Sequence, residues 1–226
     1  VRLIEAARAR REMMRMMVLT TGSIAITANG QNYAYDYGVP SSHKATVTKS
    51  WSDPTADILA DIQTWQDKIE ADTGVKPTRA VCDRKTWSYI KKNEAISKAV
   101  YVYGGGDILV SDNKVKALLM EELELEVYVN SKQYISDTGA AVKYVPDDTF
   151  VLFPTGNLGF TWFGTTPEES DLLSSGVANV SITDTGVAIT TMPKSDPVNV
   201  ETKVSMISLP SFEAADQIFI ADVANP

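Results

Sequence analysis

The sequence predicts an α+β fold built on a mixed sheet, and three observations carry that expectation. Segments 2–19, 54–72 and 112–123 of the 226-residue chain have helix-forming composition, the first two with apolar residues at clear three- and four-residue spacing. Strands and helices alternate between 79 and 130, while turn-punctuated pairs at 20–37 and 133–145 read as antiparallel hairpins. The third observation is the stretch 144–169, YVPDDTFVLFPTGNLGFTWFGTTPEE. Its two apolar runs, 149–153 and 160–163, are bounded by turn residues. We expect a central sheet to end there and the chain to change layer.

The elements follow in order. Helix 2–19 sets Leu3, Ala6, Ala7, Met13, Met14 and Met17 on one stripe, with the arginines largely opposite. A hairpin then turns at Asn29-Gly30, the dipeptide best suited to positive φ at both central positions. After a loop at 38–42, residues 44–49 alternate as a polar strand. Asp53 or Ser52 is the expected cap of the second helix and Pro54 its first-turn residue; Ile58, Leu59, Ile62, Trp65 and Ile69 face inward, and Gly74 ends it.

Strand 79–82 precedes a helix capped by Asp83, with Trp87 and Ile90 inward, and 94–103 is a short helix or extended piece. Helix 112–123 leads into strand 125–130. A hairpin follows across Asp137-Thr138-Gly139. Beyond Gly164 the chain is expected to loop over 165–170, alternate over 177–183 and 187–192, and close with strands at 200–209 and 217–223.

Composition narrows the class. Apolar residues at 44% and charged residues at 22% are ordinary globular values. The formal charge is −8 with an isoelectric point near 4.7, which disfavours whole-molecule attraction to nucleic acid or an anionic membrane. That average hides an asymmetry. Residues 1–19 carry five arginines (Arg2, Arg8, Arg10, Arg11, Arg15) against Glu5 and Glu12, a local +3, and the rest of the chain carries −11. The arginine face is expected to lie solvated on its own domain, or to meet phosphate or an acidic neighbour. One cysteine excludes an intrachain disulfide framework. No run of 18 apolar residues is present. The arginine-rich start is not a signal peptide, because Thr20–Ser23 interrupt the apolar stretch and two glutamates sit in the basic region.

No constellation marks an enzyme. The single histidine, His43, lies in a polar Ser-Ser-His-Lys loop, which removes most nucleophile–base–orienter arrangements; a Ser–Lys pair stays open, though nothing marks one. Cys82 falls on an expected buried strand and reads as a small core hydrophobe. Gly104-Gly105-Gly106-Asp107 is followed by Ile108-Leu109 rather than the Lys-Ser/Thr of a phosphate loop, and reads as a connector. Asp147-Asp148 and Glu168-Glu169 with Asp171 lack calcium-loop spacing and read as solvated turns. Glu121, Glu122, Glu124 and Glu126 form an acidic ridge, read as a solvated face or an inter-subunit contact. No catalytic, cofactor-binding or metal-ligating residue is assigned, and no cofactor is expected.

Several segments, weak singly but persuasive in their order, resemble the lambda-type family of tailed-bacteriophage major capsid proteins. They are the helix and hairpin 2–37 with TTGSIAI and YAYDYG, the run KSWSDPTADI at 49–58, the strand–helix unit 78–90, and Tyr144-Val145-Pro146-Asp147 with Val151-Leu152. Residues 159–168, Glu201-Thr202-Lys203-Val204 and Leu209-Pro210 complete the set.

The resemblance implies an α+β tailed-phage capsid fold: a peripheral domain of long helix plus sheet, from 1–53 and 160–226, and an axial domain of mixed sheet flanked by helices, 54–159. It implies a non-enzymatic head protein that self-assembles into pentamers and hexamers of an icosahedral shell around double-stranded DNA. Its principal partner would be itself, with scaffold, portal or decoration proteins as further candidates, only weak non-specific contact with packaged DNA, and no membrane. Its location would be the virion, after assembly in the host cytoplasm. The family's N-terminal arm and extended hairpin have no counterpart here. We therefore expect that roughly the first third is missing by cleavage, truncation or disorder, and that this form builds closed shells poorly. The alternatives are another self-assembling virion protein, such as a tail-tube subunit, or a hydrolase using an acidic pair.

Overall fold

The computed structural model describes residues 2–28, 31–101, 110–136, 138–172, 178–183, 186–196 and 198–224. The chain divides into two compact units, one of residues 1–15 and 159–212, the other of 16–158 and 213–226. Helix α1 (Arg2–Thr21) contributes to both.

The larger unit is organised by a five-stranded sheet. Its strands are β3 (Lys44–Thr46), β4 (Arg79–Cys82), β5 (Glu126–Val129), β8 (Thr149–Phe153) and β13 (Phe219–Asp222), in the order β3-β13-β8-β4-β5. The two outer pairs are parallel and the two inner pairings antiparallel, so the expected mixed sheet is present. Between β4 and β5 the chain runs through α3 (Arg84–Lys92), α4 (Glu94–Val100) and α5 (Asp112–Leu123), while α2 (Ile58–Thr73) precedes β4.

Alternation along the strands splits the core in two. Ala80, Cys82, Val127, Phe150, Leu152, Phe219 and Ala221 face the helices, where Ile62, Trp65, Ile69, Ile90, Val115 and Leu119 meet them. Val81 and Val151 face the other way, towards Met16 and Leu19 of α1, with Phe153 and Ile220 packed around them. A strand buried on both faces must be apolar at every central position. That is why residues 150–152 read as a continuous run. Trp51, Trp65, Phe150 and Phe219 form an aromatic centre, with ring centroids 5.2 to 5.7 Å apart along the chain Phe150–Trp51–Trp65–Phe219.

Helix α2 begins later than its sequence suggests. Asp53 and Pro54 belong to the preceding turn, where Asp53 accepts a hydrogen bond from the Thr55 amide, and Asp57 is the cap, accepting from Ala60 N. Pro54 is thereby outside the helix, and its carbonyl instead accepts from Glu94 N and from Asn93 Nδ2. Gly74 ends α2 with φ 72°, as expected for a left-handed cap. The uncertain segment after 93 is helical at α4, capped by Asn93. Two hairpins complete this unit: β1 (Ser23–Ala28) with β2 (Gln31–Asp36), and β6 (Gln133–Ile135) with β7 (Ala141–Lys143). The expected turn residues Asn29 and Gly30, and Asp137, lie outside the described residues.

The smaller unit carries a four-stranded antiparallel sheet: β9 (Thr161–Gly164), β10 (Asn179–Thr183), β11 (Val187–Ser195) and β12 (Val198–Pro210), in the order β10-β11-β12-β9. The stretch 144–169 does pass from one sheet to another, but β8 lies inside its sheet, not at its end. Nor is β9 buried: Trp162 is 66% exposed, and Phe160, just before it, 54%. Thr161 and Phe163 occupy the opposite face, where Arg15 donates to Thr161 Oγ1 at 2.8 and 3.0 Å and the Arg11 guanidinium lies 5.6 Å from the Phe163 ring centre. The arginines are therefore not simply opposite the packed stripe of α1. Leu3 at its start is exposed, while Met13, Met14, Met16 and Val18 are buried. Residues 168–172, of which 168–170 fall in the expected loop, form a π-helical turn.

Candidate functional site

His43 is not in an open loop. It ends a 3₁₀ turn, Ser41–His43, with its ring buried near Phe219 and its Nε2 2.9 Å from Asp72 Oδ2. Asp72 also meets Lys68, and these two contacts hold its carboxyl below the usual range, Lys68 first. The sequence signal was masked because Ser-Ser-His-Lys is polar, yet the 3₁₀ turn swings the imidazole inward. Among the described residues no hydroxyl or thiol nucleophile is hydrogen-bonded to it.

Cys82 is fully buried on the helix-facing side of β4, and burial, with the Asp83 charge second, pushes its thiol up to about 12. A thiol that keeps its proton is neither nucleophile nor metal ligand at neutral pH. Its neighbour Asp83, legible in the sequence only as a cap, is a buried carboxylate. It accepts from Lys85 N at 3.2 Å and from Lys143 Nζ at 2.8 Å, and its Oδ1 has no partner among the described residues.

The acidic pairs are more engaged than solvated turns. Asp148, in the left-handed region at φ 61°, accepts from Lys85 Nζ at 2.6 Å and from the Tyr89 hydroxyl at 3.0 Å; Asp147 pairs with Lys143. Glu168 is buried and paired with Lys203, whose ammonium, as the first cause, holds its carboxyl below the usual range. Glu169 caps its own turn through Thr166, and Asp171 accepts from Ser170. A carboxylate committed to one lysine or hydroxyl is not gathered around a cation, and among the described residues no three His, Cys, Asp or Glu side chains form a metal-sized group. In the acidic ridge, Glu124 pairs with Lys76 at 2.9 Å and Glu126 with Arg79 at 3.8 Å, whereas Glu121 and Glu122 have no ion pair among the described residues. The glycine run 104–106, with Asp107, lies outside the described residues.

Two hollows mark the surface of the larger unit. One, about 460 Å³, lies where α3 and α5 meet the exit of β5, lined by Arg84, Trp87, Lys91, Asp112 and Lys116 among others. The second, about 310 Å³, is shallower and lined by Thr20, Asp147–Thr149 and the end of β13. The first also holds Ser88 and the second Thr149, whose hydroxyls donate to the backbone carbonyls of Lys85 and Asp147. No helix of the described residues is long and apolar enough to cross a membrane.

The comparisons with known proteins settle which family this geometry serves. The family of phage major capsid protein E matches residues 1–223. This chain belongs to that family. Its fold is shared with a protein described as a prophage capsid protein of Escherichia coli CFT073, at TM-score 0.73 and 18% identity over 99% of this chain and 65% of that one. A phage-related protein of Bordetella bronchiseptica RB50 is similar at TM-score 0.62 and 14% identity, over 98% and 64%. The chain thus spans just under two thirds of the length of these two structures. None of the curated proteins matches it. For a member of the phage major capsid protein E family, the α+β architecture is the expected one, and the lambda-type resemblance read from the order of weak motifs is upheld.

Proposed function

We propose that this chain is the structural subunit of a phage head, assembling as pentamers and hexamers into an icosahedral shell that encloses double-stranded DNA. The observation that carries this reading is the family match along residues 1–223. The geometry supports it: His43, Asp147, Asp148, Glu168 and Glu169 are held in caps, hydrogen bonds and ion pairs within the fold, which suits a building block rather than a catalyst. The axial part is proposed for residues 54–159, whose helices and strands make up most of the five-stranded sheet, and the peripheral part for 1–53 and 160–226; β3 and β13 join that sheet from outside those limits. The principal partner is then another copy of the chain, the location is the virion, and scaffold, portal or decoration proteins are secondary partners.

Electron microscopy of the expressed protein tests the reading. Rings of five or six subunits are expected, and closed shells only poorly from this form of the chain. Stacked tubes would identify a tail-tube subunit instead, and hydrolysis of an ester or phosphoester substrate lost on substituting Asp147 and Asp148 would favour an enzyme.

A further inference from the structure

We propose that the basic groove between α3 and α5 of one copy receives the acidic end of α5 from a second copy, joining the larger units head to tail; this deepens the capsid reading and rests on it. The groove opens at the carboxyl ends of two parallel strands. Strand β4 runs out through Cys82 into α3, and β5 runs out through Val129 beside it. Arg84 on the first turn of α3, Lys91 near its end and Lys116 on α5 supply three positive charges, against the single carboxylate of Asp112. Asp112 is satisfied within the groove: Lys91 reaches it at 2.7 Å and the Trp87 indole donates at 3.3 Å, and these contacts, Lys91 first, hold its carboxyl below the usual range. Lys116 lies 5.9 Å from the Trp87 ring centre, and Arg84 is exposed with no ion pair among the described residues. Two cations are therefore left for an incoming anion.

The opposite end of the same layer is acidic. Helix α5 runs back along the strands, so its C-terminus lies where β4 and β5 begin, about 14 Å of helix from its N-terminal turn. Glu121, Glu122, Glu124 and Glu126 cluster there with Lys76 and Arg79. The two basic side chains are spent on Glu124 and Glu126, which leaves Glu121 and Glu122 exposed and without an ion pair among the described residues. One end thus carries a surplus of two positive charges and the other a surplus of two negative ones. A surface patch that complements a different patch on an identical copy makes a heterologous contact, and such contacts close into rings when the rotation between copies allows. Nucleic acid is the less favoured occupant, because a body of net charge −8 repels a polyanion as a whole.

Reciprocal charge reversal tests the pairing. Arg84→Glu with Lys116→Glu reverses the groove; Glu121→Lys with Glu122→Lys reverses the acidic end. All four positions are exposed, and circular dichroism melting should show each variant folded. By sedimentation at low salt, each reversal should weaken self-association at least tenfold. The fourfold variant, with both ends reversed, should recover it. An equimolar mixture of the two double variants should form rings with an even number of subunits, since like variants repel. If the wild-type chain assembles and both reversals assemble within twofold of it, this proposal fails while the capsid reading stands. A wild-type chain that stays monomeric at every concentration overturns this proposal, while the capsid reading, which expects this form to build shells poorly, stands. A groove reversal that abolishes binding of a short single-stranded DNA and leaves self-association intact makes the groove a nucleic-acid surface, and also overturns the proposal.

Discussion

Lys143 Nζ lies 2.8 Å from Asp83 Oδ2, a carboxylate with no solvent exposure. The pair joins β7 to the first turn of α3, because the same oxygen accepts the Lys85 amide. Removing the lysine leaves a buried charge without its cation. Lys143→Met should therefore cost about 1–3 kcal/mol, the range for a lost charged hydrogen bond at a partly exposed partner, read from urea unfolding. In an Asp83→Asn background the same substitution should cost clearly less, since Asn keeps the cap without the charge. The Lys143 ammonium is held above its ordinary range by Asp147 first and Asp83 second. On the alkaline side its contribution is thus complete below about pH 10.4 and is lost as pH climbs through the raised folded value.

Asp61 behaves oppositely to most carboxylates here. It accepts from Trp51 Nε1 at 2.9 Å, but burial raises its carboxyl above the usual range. A raised carboxylate opposes folding at neutral pH, and that penalty vanishes below the unfolded value near 4. Asp61→Asn keeps an acceptor for the indole, so it should match or exceed the wild type at pH 7. Its advantage should shrink as pH falls to about 4. A constant difference across that range would contradict the assignment.

Acid should act first on the smaller unit through Glu168. Its folded value is depressed by Lys203, so its stabilisation is present above the unfolded value of about 4.3 and is lost as pH falls through the depressed folded value. Glu168→Gln should lower stability at pH 7 and flatten the acid limb of the unfolding midpoint. Tryptophan fluorescence of Trp162, the one tryptophan of this unit, reports on it locally.

Cys82 should resist modification. With its thiol fully buried and pushed up to about 12, maleimide labelling in the native state should be limited by unfolding, and labelling in urea complete. Rapid native labelling would mean that β4 opens locally.

Gly159 is where a side chain has no room. A Cβ there would lie 2.2 Å from the Ser211 carbonyl oxygen, and the crossing is held by Phe160 N to Ser211 Oγ and Ser211 N to Phe160 O at 2.9 and 2.7 Å. Gly159→Ala should destabilise by about 1–3 kcal/mol through forced separation of the two backbones. Gly156→Ala is a control of a different kind: nothing crowds its Cβ position, and only its φ of 114° opposes a side chain.

What the sequence made legible was whatever local chemistry decides. Asp83 capping α3, Gly74 ending α2 and the 112–123 helix were all readable from turn chemistry and propensity. Long-range partners were not. Nothing in Gln66 announces that its amide donates to the Pro77 and Leu123 carbonyls, or in Asn93 that it bridges Pro54 and Ala56. These are buried polar groups whose acceptors lie 11 to 57 residues away in the chain. His43 was misplaced for the same reason: polar neighbours suggested solvent, while Asp72 and Phe219 bring it inside. β9 was legible as an apolar run between turns, but the exposure of Trp162 within it was not.

Strand β13 sits between β3 and β8, although it is the last of the five to be made. A ribosome that has already delivered β3, β4, β5 and β8 has produced a sheet with an unfilled slot, and residues 219–222 must arrive before β3 can be attached at all. Until then the edge of β8 that β13 will occupy stays open. Any surface that depends on the finished five-stranded sheet, on either of its faces, therefore waits for residues 219–222 to be delivered.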